Sequence, residues 1–172
     1  MDLSQLSPSD ALVALRSLDR RYRGLFAGLG DDESPDDLAH RRDGDWSAAD
    51  HVVAAGRFIA RANGALARVL TADSPTVAAS DVDPTASSSP SAPPGPVDGL
   101  VAELAAEANA MADRIERVPG GDWMRTAVVD QASGSTVTAL DIVRAAVDSG
   151  VTHLREAEKL LATVRGRPID PD

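Results

Sequence analysis

The stretch from Thr136 to Val164 constrains most strongly what this chain can fold into. It reads TVTALDIVRAAVDSGVTHLREAEKLLATV. Val143, Val147, Gly150, Leu154, Ala157, Leu161 and Val164 recur in it every three or four residues. That spacing lays an unbroken small or apolar stripe along one face of an α-helix. Thr138 reads as the N-cap, and Asp141, three residues on, completes a capping-box pair. The spacing predicts a helix over 138–164. His153 lies beside the stripe, on the side that carries Ile142, Ala146, Ser149 and Leu160, and it is the one histidine in the C-terminal half.

Three further stretches repeat the pattern. Ser7-Pro8-Ser9-Asp10 combines an N-cap, a proline at the first helical position and an acid three residues after the cap. Ala11, Leu15, Leu18, Tyr22, Leu25 and Leu29 then follow at helical spacing, predicting a helix over 8–29 that Gly28 and Gly30 close. Ser47 and Asp50 cap a second helix over 47–71, with Val52, Ile59, Leu66 and Leu70 inward and Phe58 and Val69 on the shoulder. Arg57, Arg61 and Arg68 fall on its opposite face. Gly56 and Asn63 lie near the inner stripe, which implies close helix contact and an amide that is either a satisfied structural group or the mark of a pocket. His51 sits at the stripe's edge and reads as a partly exposed histidine at a helix start. Val97, Val101, Leu104, Ala108, Met111, Ile115 and Val118 carry a third helix over 97–118, stopped by Pro119-Gly120-Gly121. Met111 reads as core filler.

The connectors differ from one another. Residues 31–46 hold a run of acids without the alternation and fixed glycine of a calcium loop, so they read as a solvated acidic loop. Residues 73–96, DSPTVAASDVDPTASSSPSAPPGP, read as a flexible linker leaning to polyproline II. Such a linker is long enough to return along a whole helix, which lets the second and third helices run parallel. Trp123–Val129 and Ser135–Val137 flank a turn and suggest a small hairpin or an extended excursion. Residues 165–172 read as a frayed tail. The expected fold is all-α: one domain over 1–172, a four-helix bundle with a crossover between the second and third helices.

Composition narrows the function. The net charge of −10 argues against nucleic acid and anionic membrane surfaces as partners. With no cysteine, disulfides, thiolate ligands and Cys nucleophiles are excluded. No basic segment precedes an apolar run at the N-terminus, and no stretch approaches roughly 18 apolar residues. The expectation is a soluble, cytoplasmic protein. Lys159 is the sole lysine against an otherwise arginine complement, as a GC-rich bacterial genome would give. No phosphate-binding glycine loop, nucleotide fingerprint or G-x-S-x-G elbow is present.

Two stretches carry a family resemblance. Gly44–Ala54, GDWSAADHVVA, resembles the W-S-x-x-E-x-x-x-H start of the second helix in the DinB/YfiT-like superfamily. Thr136–Asp141 through Ser149–Leu154 resembles that family's last helix, which carries H-x-x-x-H. The resemblance extends to the helical domain of mycothiol-dependent maleylpyruvate isomerases. It implies a DinB-like bundle, a divalent zinc or nickel ion held by one histidine on the second helix and two on the last, and activation of a small thiol or water by that metal. Carried over position by position, the metal set becomes Ala54, Ser149 and His153. Two of three imidazoles are gone, so no cofactor is expected, and the site is degenerate. His51, three residues before Ala54 and about 60° round the helix, leaves a shifted site conceivable. His153 then reads as a structural residue at the core edge, as a pocket residue for binding or proton transfer, or as a metal ligand with His51 or a loop carboxylate.

Three readings of function follow. One is a non-catalytic or small-ligand-binding member of the superfamily, its pocket marked by His153, Ser149, Ala54, His51 and Asn63. The second is a transferase or isomerase that uses mycothiol or another small thiol, through a rebuilt metal site or without metal. The third is a protein-interaction bundle that dimerises through a helix face. The partners implied are a small molecule or low-molecular-weight thiol and a second copy of the chain. Trp46 and Trp123 are expected to anchor helix ends by packing.

Overall fold

In the computed structural model, the described residues are 5–27, 34–86, 91–131 and 134–165. The four expected helices are α1 (Pro8–Ala27), α3 (Ala48–Thr71), α4 (Val97–Ile115) and α5 (Ala139–Val164). A short α2 (Pro35–His40) lies between the first two. Both expected capping boxes are formed. Ser47 and Asp50 close the start of α3, and Thr138 and Asp141 the start of α5, each with hydroxyl and carboxylate bonded to the other residue's backbone N–H. The inward stripe of α5 is buried throughout. Tyr22, Phe58, Leu66, Leu104, Met111 and Leu154 are among the largest fully buried side chains of the core.

Helix directions follow from paired contacts. Gly56 faces Leu104 and Asn63 accepts a hydrogen bond from Arg114 (2.7 Å), so α3 and α4 advance together and run parallel. His51 meets His153 while Ile59 meets Gly150, so α3 and α5 run antiparallel. At Gly150 a Cβ would stand 2.8 Å from Leu18 Cδ1, which is why α1 approaches α5 so closely there. Tyr22 adds a hydrogen bond from its hydroxyl to the Gly150 carbonyl (3.0 Å).

The connectors correct two expectations. The linker over 73–96 is not structureless in its described part. Thr76–Ala78 forms β3, which pairs in parallel with β4 (Thr126–Asp130), and β4 pairs antiparallel with β5 (Thr136–Thr138). The expected hairpin is therefore two strands of a three-stranded sheet, and the parallel pair makes α4 part of a crossover between β3 and β4. Val77, Ala127 and Val129 point into the core by strand alternation. Two short 3-10 turns, Ala79–Asp81 and Pro84–Ala86, continue the linker. The acidic connector likewise holds structure: α2, then a two-residue ladder of β1 (Arg42–Asp43) and β2 (Trp46–Ser47) around Gly44, whose φ of 66° suits glycine. One of its acids, Asp36, accepts the Val97 amide at the start of α4 (2.7 Å).

Smaller differences concern helix ends. The third predicted helix stops at Ile115 rather than 118. Gly28 and Gly30, expected to close α1, lie outside the described residues, as does the tail beyond Arg165. Arg125 reaches back to the Val69 and Ala72 carbonyls (2.9 and 2.8 Å), satisfying the C-terminus of α3. Among the described residues no helix is long and apolar enough to cross a membrane.

Candidate functional site

The site is built from the start of α3, the middle of α5 and the β1–β2 ladder. Asp50, with no exposed surface, organises it. Its carboxylate accepts the Ser47 amide (2.8 Å), the Ser47 hydroxyl (2.8 Å) and the Ala92 amide of the crossover (2.7 Å), and Arg42 stands at 3.3 Å. Burial alone would raise this carboxyl. The Ala92 and Ser47 bonds and the Arg42 charge outweigh it and hold Asp50 below the usual carboxylate range. One side chain thus ties down the helix start, the hairpin carrying Trp46 and the returning linker.

His51 follows Asp50 on α3. Its ring is partly exposed at the helix start, as expected. It is half-buried beneath Trp46, stacked at 4.6 Å between centroids and 22° between planes. Its Nδ1 lies 3.0 Å from Nδ1 of His153, one imidazole donating and the other accepting. Trp46 also reaches His153, at 6.0 Å. Burial lowers the pKa of His51, opposed by the Glu156 and Asp50 charges. Burial, reinforced by His51, lowers that of His153 to about 4, against the pull of Glu156. Lowered pKa values favour the neutral form of both rings near pH 7, and the contact requires that at least the accepting Nδ1 be bare.

An open pocket of about 320 Å³ lies against the pair, lined by Asp43, Trp46, His51, Glu156, Lys159, Leu160 and Thr163. Lys159 donates to Glu156 (2.6 Å), and that bond is the main reason the Glu156 carboxyl lies below its ordinary value. Glu156, Lys159 and Asp43 were not among the candidates from sequence. The signal was present, since Glu156 and Lys159 follow His153 at three-residue steps on one helix face.

The other candidates are placed as follows. Ser149 is 2% exposed, one turn before His153, and its Oγ is the buried side-chain polar atom among the described residues that has no hydrogen-bond partner. Ala54 is half-buried on α3 and has no donor atom. Asn63 lies away from the pair, half-buried and bonded to Arg114, as a satisfied structural amide. Trp123 is half-buried against the core.

A three-histidine metal set does not fit these residues. Ala54 offers nothing, Ser149 offers a hydroxyl, and the two imidazoles present are bonded to each other. Among the described residues no three His, Cys, Asp or Glu side chains are grouped closely enough to hold a metal ion.

Fold and site together define a four-helix bundle with parallel second and third long helices and a paired-histidine pocket at one end. A solved structure of YfiT from Bacillus subtilis, described as a probable metal-dependent hydrolase with an unusual four-helix bundle topology, superposes with a TM-score of 0.71. The match covers 93% of this chain and 89% of that one at 14% identity. The chain shares the four-helix-bundle fold of YfiT. No protein-family model matches it, and no curated protein matches it by sequence.

Proposed function

We propose that this chain is a DinB-like bundle that has lost the three-histidine metal centre and keeps its site as a metal-free pocket for a small ligand. The observation that carries this reading is the 3.0 Å Nδ1–Nδ1 hydrogen bond between His51 and His153. It occupies Nδ1 of both rings and puts the accepting ring's proton on Nε2, so the pair offers one bare nitrogen where a three-histidine centre needs three. The replacement of two family positions by Ala54 and Ser149, the latter with an idle hydroxyl, agrees with it.

The same contact also supports a second reading, a small-thiol-dependent transferase or isomerase with a rebuilt divalent-metal site. Two imidazoles on facing helices are half of such a centre. Elemental analysis of untagged protein purified without chelators, followed by zinc and nickel titration, separates the two. The metal-free reading expects no stoichiometric metal and no binding in a micromolar titration. Near-stoichiometric metal that is lost in both His51→Ala and His153→Ala overturns it. The expected second copy of the chain as a partner is checked separately by concentration-dependent mass.

A further inference from the structure

A second cleft opens between α3 and α4. It holds about 360 Å³, enough for a small molecule, and shares no lining residue with the histidine pocket. Its floor is apolar. Val52, Leu100 and Leu104 are buried there, and Gly56, where an added Cβ would stand 3.4 Å from Leu104, lets the two helices touch beneath it. Pro93 of the returning linker supplies a further wall. Three hydrogen bonds pin that return: the Ala92 amide to Asp50 (2.7 Å), the His40 Nε2–H to the Gly95 carbonyl (2.9 Å) and the Val97 amide to Asp36 (2.7 Å). Pro93 has no N–H, so it offers an apolar wall without leaving a donor idle. The cleft is held open by anchored backbone.

The charged groups that line it stay apart. Arg57 comes from α3, and Glu103 and Glu107 come from α4. Arg57 adjoins Gly56 and Glu103 adjoins Leu104, so opposite charges stand at one level of the seam. Among the described residues, none of the three side chains makes an ion pair or hydrogen bond. Elsewhere the long helices close such gaps directly. Arg114 meets Asn63 across this same seam at 2.7 Å, and Arg16 on α1 reaches Glu116 at 2.9 Å. Glu103 and Glu107, four residues apart on one helix, repel each other. A plain cation entering the cleft meets Arg57, and a plain anion meets two carboxylates. A molecule that carries both an ammonium and a carboxylate on an apolar body satisfies both walls.

We propose that this cleft binds a small zwitterion of the apolar amino-acid class. Its carboxylate pairs with Arg57, its ammonium with Glu103 and Glu107, and its apolar body rests on Val52, Leu100 and Leu104. The site stands apart from the metal-free reading of the histidine pocket, and neither depends on the other.

L-Leucine is the probe, titrated into the nitrogen-15-labelled full chain. 4-Methylpentanoate lacks its amine and 3-methylbutylamine lacks its carboxylate. Leucine is expected to give saturable shifts at the amides of Val53, Gly56, Ala60 and Leu104, with Kd below about 1 mM. Each truncated probe should bind about fivefold more weakly, the upper end for an exposed ion pair. Arg57→Gln should bring leucine to the level of the amine, and a Glu103→Gln/Glu107→Gln double variant to the level of the acid. These side chains have no partner to lose, so the fold should be unaffected. Ala60→Leu, which fills the cleft, should abolish the shifts. No saturable shift, shifts centred on Trp46 and His51, or equal binding of the three probes overturns the proposal. So does a second copy of the chain seated on the cleft, seen as shifts at the same amides that follow protein concentration without leucine.

Discussion

Replacing Asp50 by asparagine tests whether one buried carboxylate holds the site together. The substitution keeps shape and volume but leaves one acceptor oxygen where two accept now. Oδ2 takes the Ser47 amide and hydroxyl, and Oδ1 takes the Ala92 amide. Whichever way the new amide turns, its NH₂ faces a buried N–H, and one pair of donors is stranded. That costs about 1–3 kcal/mol. Weakening the α3 cap adds about 1 kcal/mol. The partner Arg42 side chain is half exposed, so losing its ion pair adds no more than about 1 kcal/mol. The sum is near 3 kcal/mol, and for a chain of this size each kcal/mol moves Tm by roughly 2–4 °C, so a fall of about 6–12 °C is expected. Circular dichroism melts and urea titrations supply the numbers. The pH profile supplies the sign. A carboxyl held below its unfolded value of 3.8 contributes stability that is complete above that value and lost as pH falls through the folded pKa. Asp50→Asn should remove that acid limb. A loss below about 1 kcal/mol, or an unchanged acid limb, would refute the account of Asp50 as the organiser.

Three further outcomes follow from the packing. Tyr22→Phe removes the bond to the Gly150 carbonyl inside the core and should cost about 1 kcal/mol by urea titration; an unchanged midpoint contradicts the bond. Gly150→Ala and Gly56→Ala should part in sign. A Cβ at Gly150 meets Leu18 Cδ1 at 2.8 Å in a full core, for a net loss of about 1–2 kcal/mol, whereas at Gly56 the nearest atom is 3.4 Å away and the gain in helix propensity, up to about 1 kcal/mol, prevails. Finally, both histidine pKa values are lowered on folding, so the unfolded chain binds more protons in the window from about 6.5 down to about 4. Stability should fall as pH drops through that window, and a His51→Gln/His153→Gln double variant should flatten the upper part; an equally steep profile in the variant would place the titration elsewhere.

What was legible in the sequence is what local chemistry decides. Ser47 with Asp50 and Thr138 with Asp141 are contacts three residues apart, and both appeared where the residue types put them. The buried stripes followed the helical period for the same reason. β3 was hidden because Thr76–Ala78 is three residues long, lies in a proline- and serine-rich segment, and is stabilised by partners some fifty positions later. No local propensity records such a pairing. Asp50 shows both sides of this limit. Its capping role is local and was read, while its grip on Ala92 depends on where the crossover returns.

The two histidines show how far a site can be read from one helix at a time. On α5 alone, His153 sits beside a buried stripe and looks like the functional residue. On α3 alone, His51 is an edge residue at a helix start. Their relation depends on how α3 and α5 cross, and glycine at 150 sets that crossing by letting Leu18 and Ile59 come close. Once the helices approach that far, His153 is carried behind His51 and Trp46 is carried over both rings. The residue resembling a family ligand does not line the pocket, and the one with no counterpart in that pattern does. Ser149 and Ala54 then have no donor role to fill, and an imidazole is supplied instead from three residues earlier on α3, by a ring that lines one pocket with Glu156 and Lys159.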